Sequence, residues 1–257
     1  MKQSVSELSE VKGKKELIVA WLALIVLLAI HFGIQLGARQ LWIFHSITDD
    51  PLLLQHGSWL HYLNHHLAQM AIALVLIAIL TRGRLRAAGL NLAHARESLR
   101  LLTTGFFPVL FLCLIAGHVI TPIAQGVAPE RFVGGLRVMD LAGTLVFSWV
   151  IVGLSEEIVF RGFFQTALAK FWHGTMQLVG VQVPVAGVWA AVIFTIAHIS
   201  FSTMSADLRQ LILAFVLGIY YAVAYHRTGS LLAPVVAHNL VDGGIVTAEW
   251  LVAELAF

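Results

Sequence analysis

The apolar positions of this chain come in long blocks separated by short polar stretches. Seven blocks, at about 17–37, 60–81, 102–124, 141–168, 185–204, 208–226 and 231–254, approach the twenty or so residues that cross a bilayer's hydrocarbon core. The fourth is long, and only a very short turn separates the fifth from the sixth, so the count lies between six and eight. The pattern predicts an all-α, polytopic membrane helical bundle of about seven transmembrane helices. No internal repeat, low-complexity tract or soluble domain interrupts it, so residues 1–257 are expected to form a single membrane-embedded domain. The apolar run Leu17 to Leu36 is longer than the hydrophobic core of a secretion signal, and its polar lead contains three glutamates. It is expected to be retained as the first span.

Composition agrees. A chain of 257 residues suits one soluble domain on length alone, but 59% of them are hydrophobic and 12% charged, with a mean hydropathy of +0.85. Those values belong to a polytopic membrane protein. The net charge of +2 carries no nucleic-acid signature, because the basic residues sit in short flanking loops without a basic face or stacking aromatics. The single cysteine, Cys113, excludes an intrachain disulfide.

The basic residues set the expected orientation. With a cytoplasmic N-terminus, the inner segments hold Lys2, Lys12, Lys14, Lys15, Arg82, Arg84, Arg86, Arg96, Arg100, Lys170 and Arg227, against Arg39, Arg131, Arg137 and Arg209 outside. That bias predicts a multi-pass protein of the cell membrane with its N-terminus in the cytoplasm. The stretch Arg84 to Arg100 reads either as a basic topogenic loop or as a short amphipathic helix with Leu85, Leu90, Leu92 and Leu99 facing lipid.

Against this background the fourth block stands out. It runs LAGTLVFSWVIVGLSEEIVF from Leu141 to Phe160 and places Glu156 and Glu157 at membrane depth, where a carboxylate costs a few kcal/mol on insertion scales. On a helix, Glu157 and Arg161 are four apart and share a face, acid before base. Glu156 is rotated about 100° from that face. One glutamate thus has a built-in partner, and its neighbour is the candidate general base. The alternative is that other helices satisfy both as a polar lock.

The fifth block adds His198, four residues after Phe194, and the seventh adds His238 with Asp242 on one face. At 1.5 Å per residue, Glu156 lies roughly 18 Å from the cytoplasmic end of its span, His198 about 20 Å and His238 about 11 Å. Three spans deliver polar residues to a comparable layer. A carboxylate and two imidazoles in a wet intramembrane cavity suit peptide-bond hydrolysis, with Glu156 deprotonating water and the imidazoles positioning it or stabilising the oxyanion. The same Glu156, His198, His238 and Asp242 are also candidate ligands for Zn²⁺, a possible cofactor. Ser155 shows no base around it in sequence, and Cys113 lies in a plain apolar span.

The order EExxxR (Glu156, Glu157, Arg161), FxxxH (Phe194, His198) and HxxxN/D (His238, Asp242) resembles the CPBP family of intramembrane proteases. That family includes CAAX prenyl endopeptidases and bacterial relatives linked to bacteriocin processing or self-immunity. The resemblance covers about residues 140–244; the first three spans match only in being membrane helices. It implies that Glu156 is the base activating water, that Glu157 and Arg161 support it, that His198 assists at the water, and that His238 with the residue at 242 stabilises the oxyanion. Eukaryotic-type members carry Asn at that last position, and an ionised Asp242 cannot donate a hydrogen bond. Three roles stay open for it: a protonated donor, an orienter of His238, or a metal ligand. Asn239 is no substitute, pointing about 100° away from His238. The family has been described both as metalloproteases and as glutamate-dependent, metal-free proteases.

Other features weigh less. His56, His61, His65 and His66 cluster near the start of the second block, where Trp59 and Tyr62 favour an interfacial belt over a metal site. Trp172 and Trp250 read as interfacial anchors. Gly218, Gly243 and Gly244 suit close helix approach, and the last two would also loosen the helix beside Asp242. The expectation is an endopeptidase acting on a peptide or membrane-protein substrate in a cavity among spans four to seven. The rival is a non-catalytic immunity or scaffold protein binding a partner through the same cavity. A coupled transporter ranks third, since no repeated half or paired broken helix is present.

Overall fold

The computed structural model describes residues 2–40, 59–129, 138–199 and 207–257. In chain order the helices are α1 (Lys2–Gln40), α2 (Trp59–Thr81), α3 (Ala95–Thr103), α4 (Phe106–Gln125), α5 (residues 138–168), α6 (Val185–Ala197), α7 (Leu208–Thr228) and α8 (Leu232–Ala256). Between α5 and α6 lies an antiparallel hairpin of β1 (Thr175–Leu178) and β2 (Val181–Pro184), pairing Thr175 with Pro184 and Leu178 with Val181. The hairpin was not expected, although apolar positions alternate through it.

The all-α membrane bundle is borne out; the count of about seven is not confirmed. Among the described residues five helices are long and apolar enough to cross a membrane: Lys15–Ile34, Tyr62–Thr81, Phe106–Gln125, Asp140–Leu168 and Leu208–Thr228. The fifth expected span is shorter as a described helix, Val185–Ala197, which at 1.5 Å per residue covers about 20 Å. The seventh is the 25-residue α8, which carries Asp242, Glu249 and Glu254. The outer faces of α1 and α4 expose Ile18, Leu22, Ile25, Val109, Leu112 and Ile120, a surface that only lipid or protein can cover favourably. Leu85, Leu92 and Leu99 are likewise exposed, whereas Leu90 packs against the core, so three of the four expected lipid-facing leucines are outward.

The core forms where α5 is wrapped by α1, α2, α6, α7 and α8. Phe160, Phe163 and Phe164 of α5 pack with Ile77 of α2 and with Ile193 and Phe194 of α6. Close approach depends on small residues, as is usual between membrane helices. A Cβ on Gly218 of α7 would lie 3.0 Å from that of Ala191 on α6, and one on Gly243 of α8 would lie 2.3 Å from the Trp149 ring. Gly243 and Gly244 lie within unbroken helix, so they serve packing and do not loosen α8. Trp172 joins Trp21 and Trp189 in a partly buried aromatic cluster, with edge contacts at 5.2 Å from Trp21 to each.

α5 is not a uniform helix. Its backbone passes through two π-helical stretches, Phe147–Ile151 and Ile158–Gln165, with regular α-helix at Val152–Glu157 between them. Such widened turns are frequent at functional sites, and each re-aims the side chains that follow it. The two glutamates sit in the regular segment between.

Candidate active site

Glu157 is fully buried and organises the site. Its Oε1 accepts from Nη1 of Arg161 at 3.0 Å, and Nδ1 of His238, across on α8, lies 2.8 Å from the same oxygen. Arg161 is equally sealed. Its Nη2 donates to the Gly218 carbonyl of α7 at 2.8 Å, and its guanidinium lies 4.9 Å from the Phe194 ring centre and 5.2 Å from that of Tyr221. Tyr221 stacks on His238 at 5.0 Å with an interplanar angle of 17°. One buried ion pair therefore ties α5 to α6, α7 and α8, as the spacing EExxxR anticipates for Glu157 and Arg161.

Glu156 has a different environment. Rotated about one-quarter turn from its neighbour, it opens on a cavity of about 240 Å³ that is also lined by His198 of α6, Phe160 of α5, Gln210 of α7, and His65, His66 and Gln69 of α2. Its Oε2 is 3.7 Å from Nε2 of His238, and its Oε1 is 3.9 Å from Nδ1 of His66. Asp242 completes the polar group, with Oδ2 3.4 Å from Nε2 of His238. The expected set of Glu156, Glu157, Arg161, His198, His238 and Asp242 is thus gathered in one neighbourhood. Asn239 points elsewhere, as expected: its Oδ1 accepts from the Gly153 amide at 2.8 Å and its Nδ2 donates to the Val150 carbonyl at 3.2 Å.

The ring nitrogens can be assigned from their partners. Nδ1 of His198 is 2.8 Å from the Phe194 carbonyl, which only accepts, so Nδ1 carries hydrogen and a neutral ring presents Nε2 as an acceptor. By the same argument Nδ1–H of His238 donates to Glu157, and its Nε2, which faces the carboxylates of Glu156 and Asp242, carries a hydrogen as well.

Two expectations need correction. The wall of the cavity is not confined to spans four to seven, because α2 supplies His65, His66 and Gln69; of the rest of the histidine cluster, His56 and the side chain of His61 lie outside the described residues. Ser155 does have a base nearby, Nδ1 of His66 at 2.9 Å. The serine is nonetheless fully buried and donates to the Val152 carbonyl at 2.9 Å, which is poor placement for a nucleophile. The missed signal was the set of polar residues Asn64, His65, His66 and Gln69 in an otherwise apolar helix.

Among the described residues no three His, Cys, Asp or Glu side chains converge so as to hold a metal ion. Nδ1 of His238 is committed to Glu157 and Nδ1 of His198 to the backbone.

Gly153 lets α5 and α8 meet beside the site. A Cβ there would come 2.6 Å from Oδ1 of Asn239, 2.8 Å from Cβ of His238 and 2.9 Å from the Asn239 amide nitrogen. Gly153→Ala is therefore expected to push His238 away and to cost about 1–3 kcal/mol through overpacking. Thermal unfolding in detergent measures this, and an unshifted midpoint would show that the helices part freely.

A polar cavity with a carboxylate and imidazoles among membrane helices suits a membrane protease. Comparison with known proteins agrees. Residues 139–244 match the family described as Type II CAAX prenyl endopeptidase Rce1-like. Over 209 residues the chain is 26% identical to "Putative membrane peptidase YdiL" of Bacillus subtilis (strain 168), covering 79% of this chain and 75% of that protein. No solved structure matches the chain. The resemblance to the CPBP family of membrane proteases is thus borne out.

Proposed function

We propose that the protein is an intramembrane endopeptidase of the cell membrane, N-terminus in the cytoplasm, that hydrolyses a peptide bond with water activated by Glu156. The observation that carries this reading is the division of labour between adjacent glutamates: Glu157 is sealed in an ion pair, and Glu156 opens on the polar cavity beside His198. In the reaction, Glu156 takes a proton from water while the bare Nε2 of His198 accepts the water's other hydrogen and aims its oxygen. That oxygen bonds to the scissile carbonyl carbon, and the carbonyl becomes an oxyanion. As the oxyanion collapses the C–N bond breaks, and Glu156 returns its proton to the departing amine. Glu157 and Arg161 position His238, which flanks Glu156 together with Asp242. Asp242 acts here as an orienter of His238, consistent with their 3.4 Å separation. The substrate is a peptide or a membrane-protein segment.

The test compares protein N-termini in host cells carrying wild-type protein or Glu156→Gln, matched for membrane abundance. Termini that appear only with Glu156 are the expected result. Identical termini, with a phenotype that survives the substitution, would move the assignment to a non-catalytic binding protein. Cleavage by purified protein is also expected to withstand a zinc chelator; loss of activity that added Zn²⁺ restores would replace the glutamate-only mechanism with a metal-dependent one.

A further inference from the structure

The helices around Glu156 do not all reach the same height. Gly218 of α7 meets Ala191 of α6 where Arg161 of α5 donates to the Gly218 carbonyl, which gives a common level. From that level α6 ends at Ala197 after about 9 Å, and α7 begins at Leu208 about 15 Å away. α5 continues in the same direction for roughly 25 Å to Gly143, where the ring of Trp59, the first residue of α2, packs against it. Glu156, five residues before Arg161, lies about 7 Å from the common level. It therefore sits at the foot of a notch, with α2 and α5 as long walls and the ends of α6 and α7 as a low one. The cavity is lined accordingly by early turns of α2 (His65, His66, Gln69), the end of α6 (Ala197, His198) and the first turn of α7 (Gln210). Gln210 is exposed and His198 half-buried.

Toward the opposite end of the bundle the described residues close the path. Phe160, Arg161, Phe164, Ile193, Phe194 and Tyr221 are at most 2% exposed. Beyond them the loop after α2 is stitched over the turn between α7 and α8. Asn91 donates to the Gly229 carbonyl at 3.0 Å, the Ser230 hydroxyl donates to the Asn91 carbonyl at 2.6 Å, and the Leu231 amide donates to the Gly89 carbonyl at 2.9 Å. Ala88 of this loop is fully buried, its carbonyl beside Gly162 of α5. The same loop carries Arg82, Arg84 and Arg86, all exposed, the cluster that the charge bias assigns to the cytoplasm.

We propose that substrate reaches Glu156 from the extracytoplasmic side, over the ends of α6 and α7, so that the clients are peptide segments outside the membrane or in the outer half of a span, not cytoplasmic tails. This rests on the endopeptidase reading above and on the orientation given with it. A client span entering the notch must unwind to present its peptide bond, and polar side chains in the wall supply partners for the backbone groups so freed.

The experiment uses two cysteine variants in a Cys113→Ala background, Gln210→Cys at the notch and Arg84→Cys on the loop. Intact spheroplasts are treated with a bulky, membrane-impermeant maleimide. Gln210→Cys is expected to be labelled and then to lose Glu156-dependent cleavage, whereas Arg84→Cys stays unlabelled and active. Client N-termini that appear with wild type and not with Glu156→Gln are expected to map outside the membrane or to the outer half of client spans. That second readout needs neither cysteine. Cleavage sites on the cytoplasmic side overturn the proposal, as does undiminished cleavage by fully labelled Gln210→Cys. Labelling of Arg84→Cys with protection of Gln210→Cys inverts the orientation and overturns the proposal, while the endopeptidase reading stands. If wild type and Glu156→Gln yield the same termini, the endopeptidase reading itself falls, and the entry route with it.

Discussion

Glu156→Gln is expected to lower the rate of peptide cleavage about 10²–10⁴-fold, the range associated with loss of a general base, with no change in fold. Glutamine keeps the size of the side chain and an acceptor oxygen, so the contacts toward His238 and His66, both longer than 3.5 Å, lose little. Only the capacity to take a proton from water disappears. Binding of substrate should survive, so the variant is expected to reduce kcat with little change in KM and to trap uncleaved clients. Full activity in this variant would remove Glu156 from the mechanism, and a strongly raised KM at unchanged kcat would make it a binding residue.

The neighbouring substitution should behave differently. Glu157→Gln leaves the Arg161 guanidinium charged and fully buried without the carboxylate that its Nη1 contacts. Removing one partner of a buried pair typically costs about 3–5 kcal/mol, even where the intact pair adds little net stability over apolar side chains. Here Oε2 of Glu157 and Nε of Arg161 have no hydrogen-bond partner among the described residues. The pair is therefore incompletely satisfied and is better explained as a positioning device than as a source of stability. The expected outcome is a marked fall in the thermal midpoint in detergent, together with loss of activity as His238 loses its anchor. A midpoint equal to that of the wild type would mean that Arg161 finds another partner and that the Glu157 contact is dispensable.

The sequence made the intrahelical parts of this arrangement legible. Glu157 and Arg161, Phe194 and His198, and His238 and Asp242 each sit four apart, and four residues on a helix fix a shared face without knowledge of the rest of the fold. Depth along the spans went further and brought Glu156, His198 and His238 to one layer. The contribution of α2 was not legible by either route. His66 meets Glu156 through packing of α2 against α5, and sequence periodicity carries no information about which helices become neighbours. Its position a short way into a helix that begins with Trp59 made an interfacial belt the more natural assignment. The hairpin failed for another reason: its strands are four residues each, and two polar positions between apolar ones are a weak signal beside twenty-residue blocks.

The seclusion of Arg161 and Glu157 has a practical corollary. Mobile ions screen charges they can approach, over a Debye length of about 8 Å at physiological ionic strength, and they reach buried pairs far less. The exposed pairs Arg100–Glu97 and Arg209–Asp207 sit in that ionic atmosphere, whereas the pair at the site has no exposed side-chain surface. High-salt washing that strips peripheral proteins from a membrane preparation should therefore leave this centre assembled, while the same treatment erases whatever the surface pairs contribute.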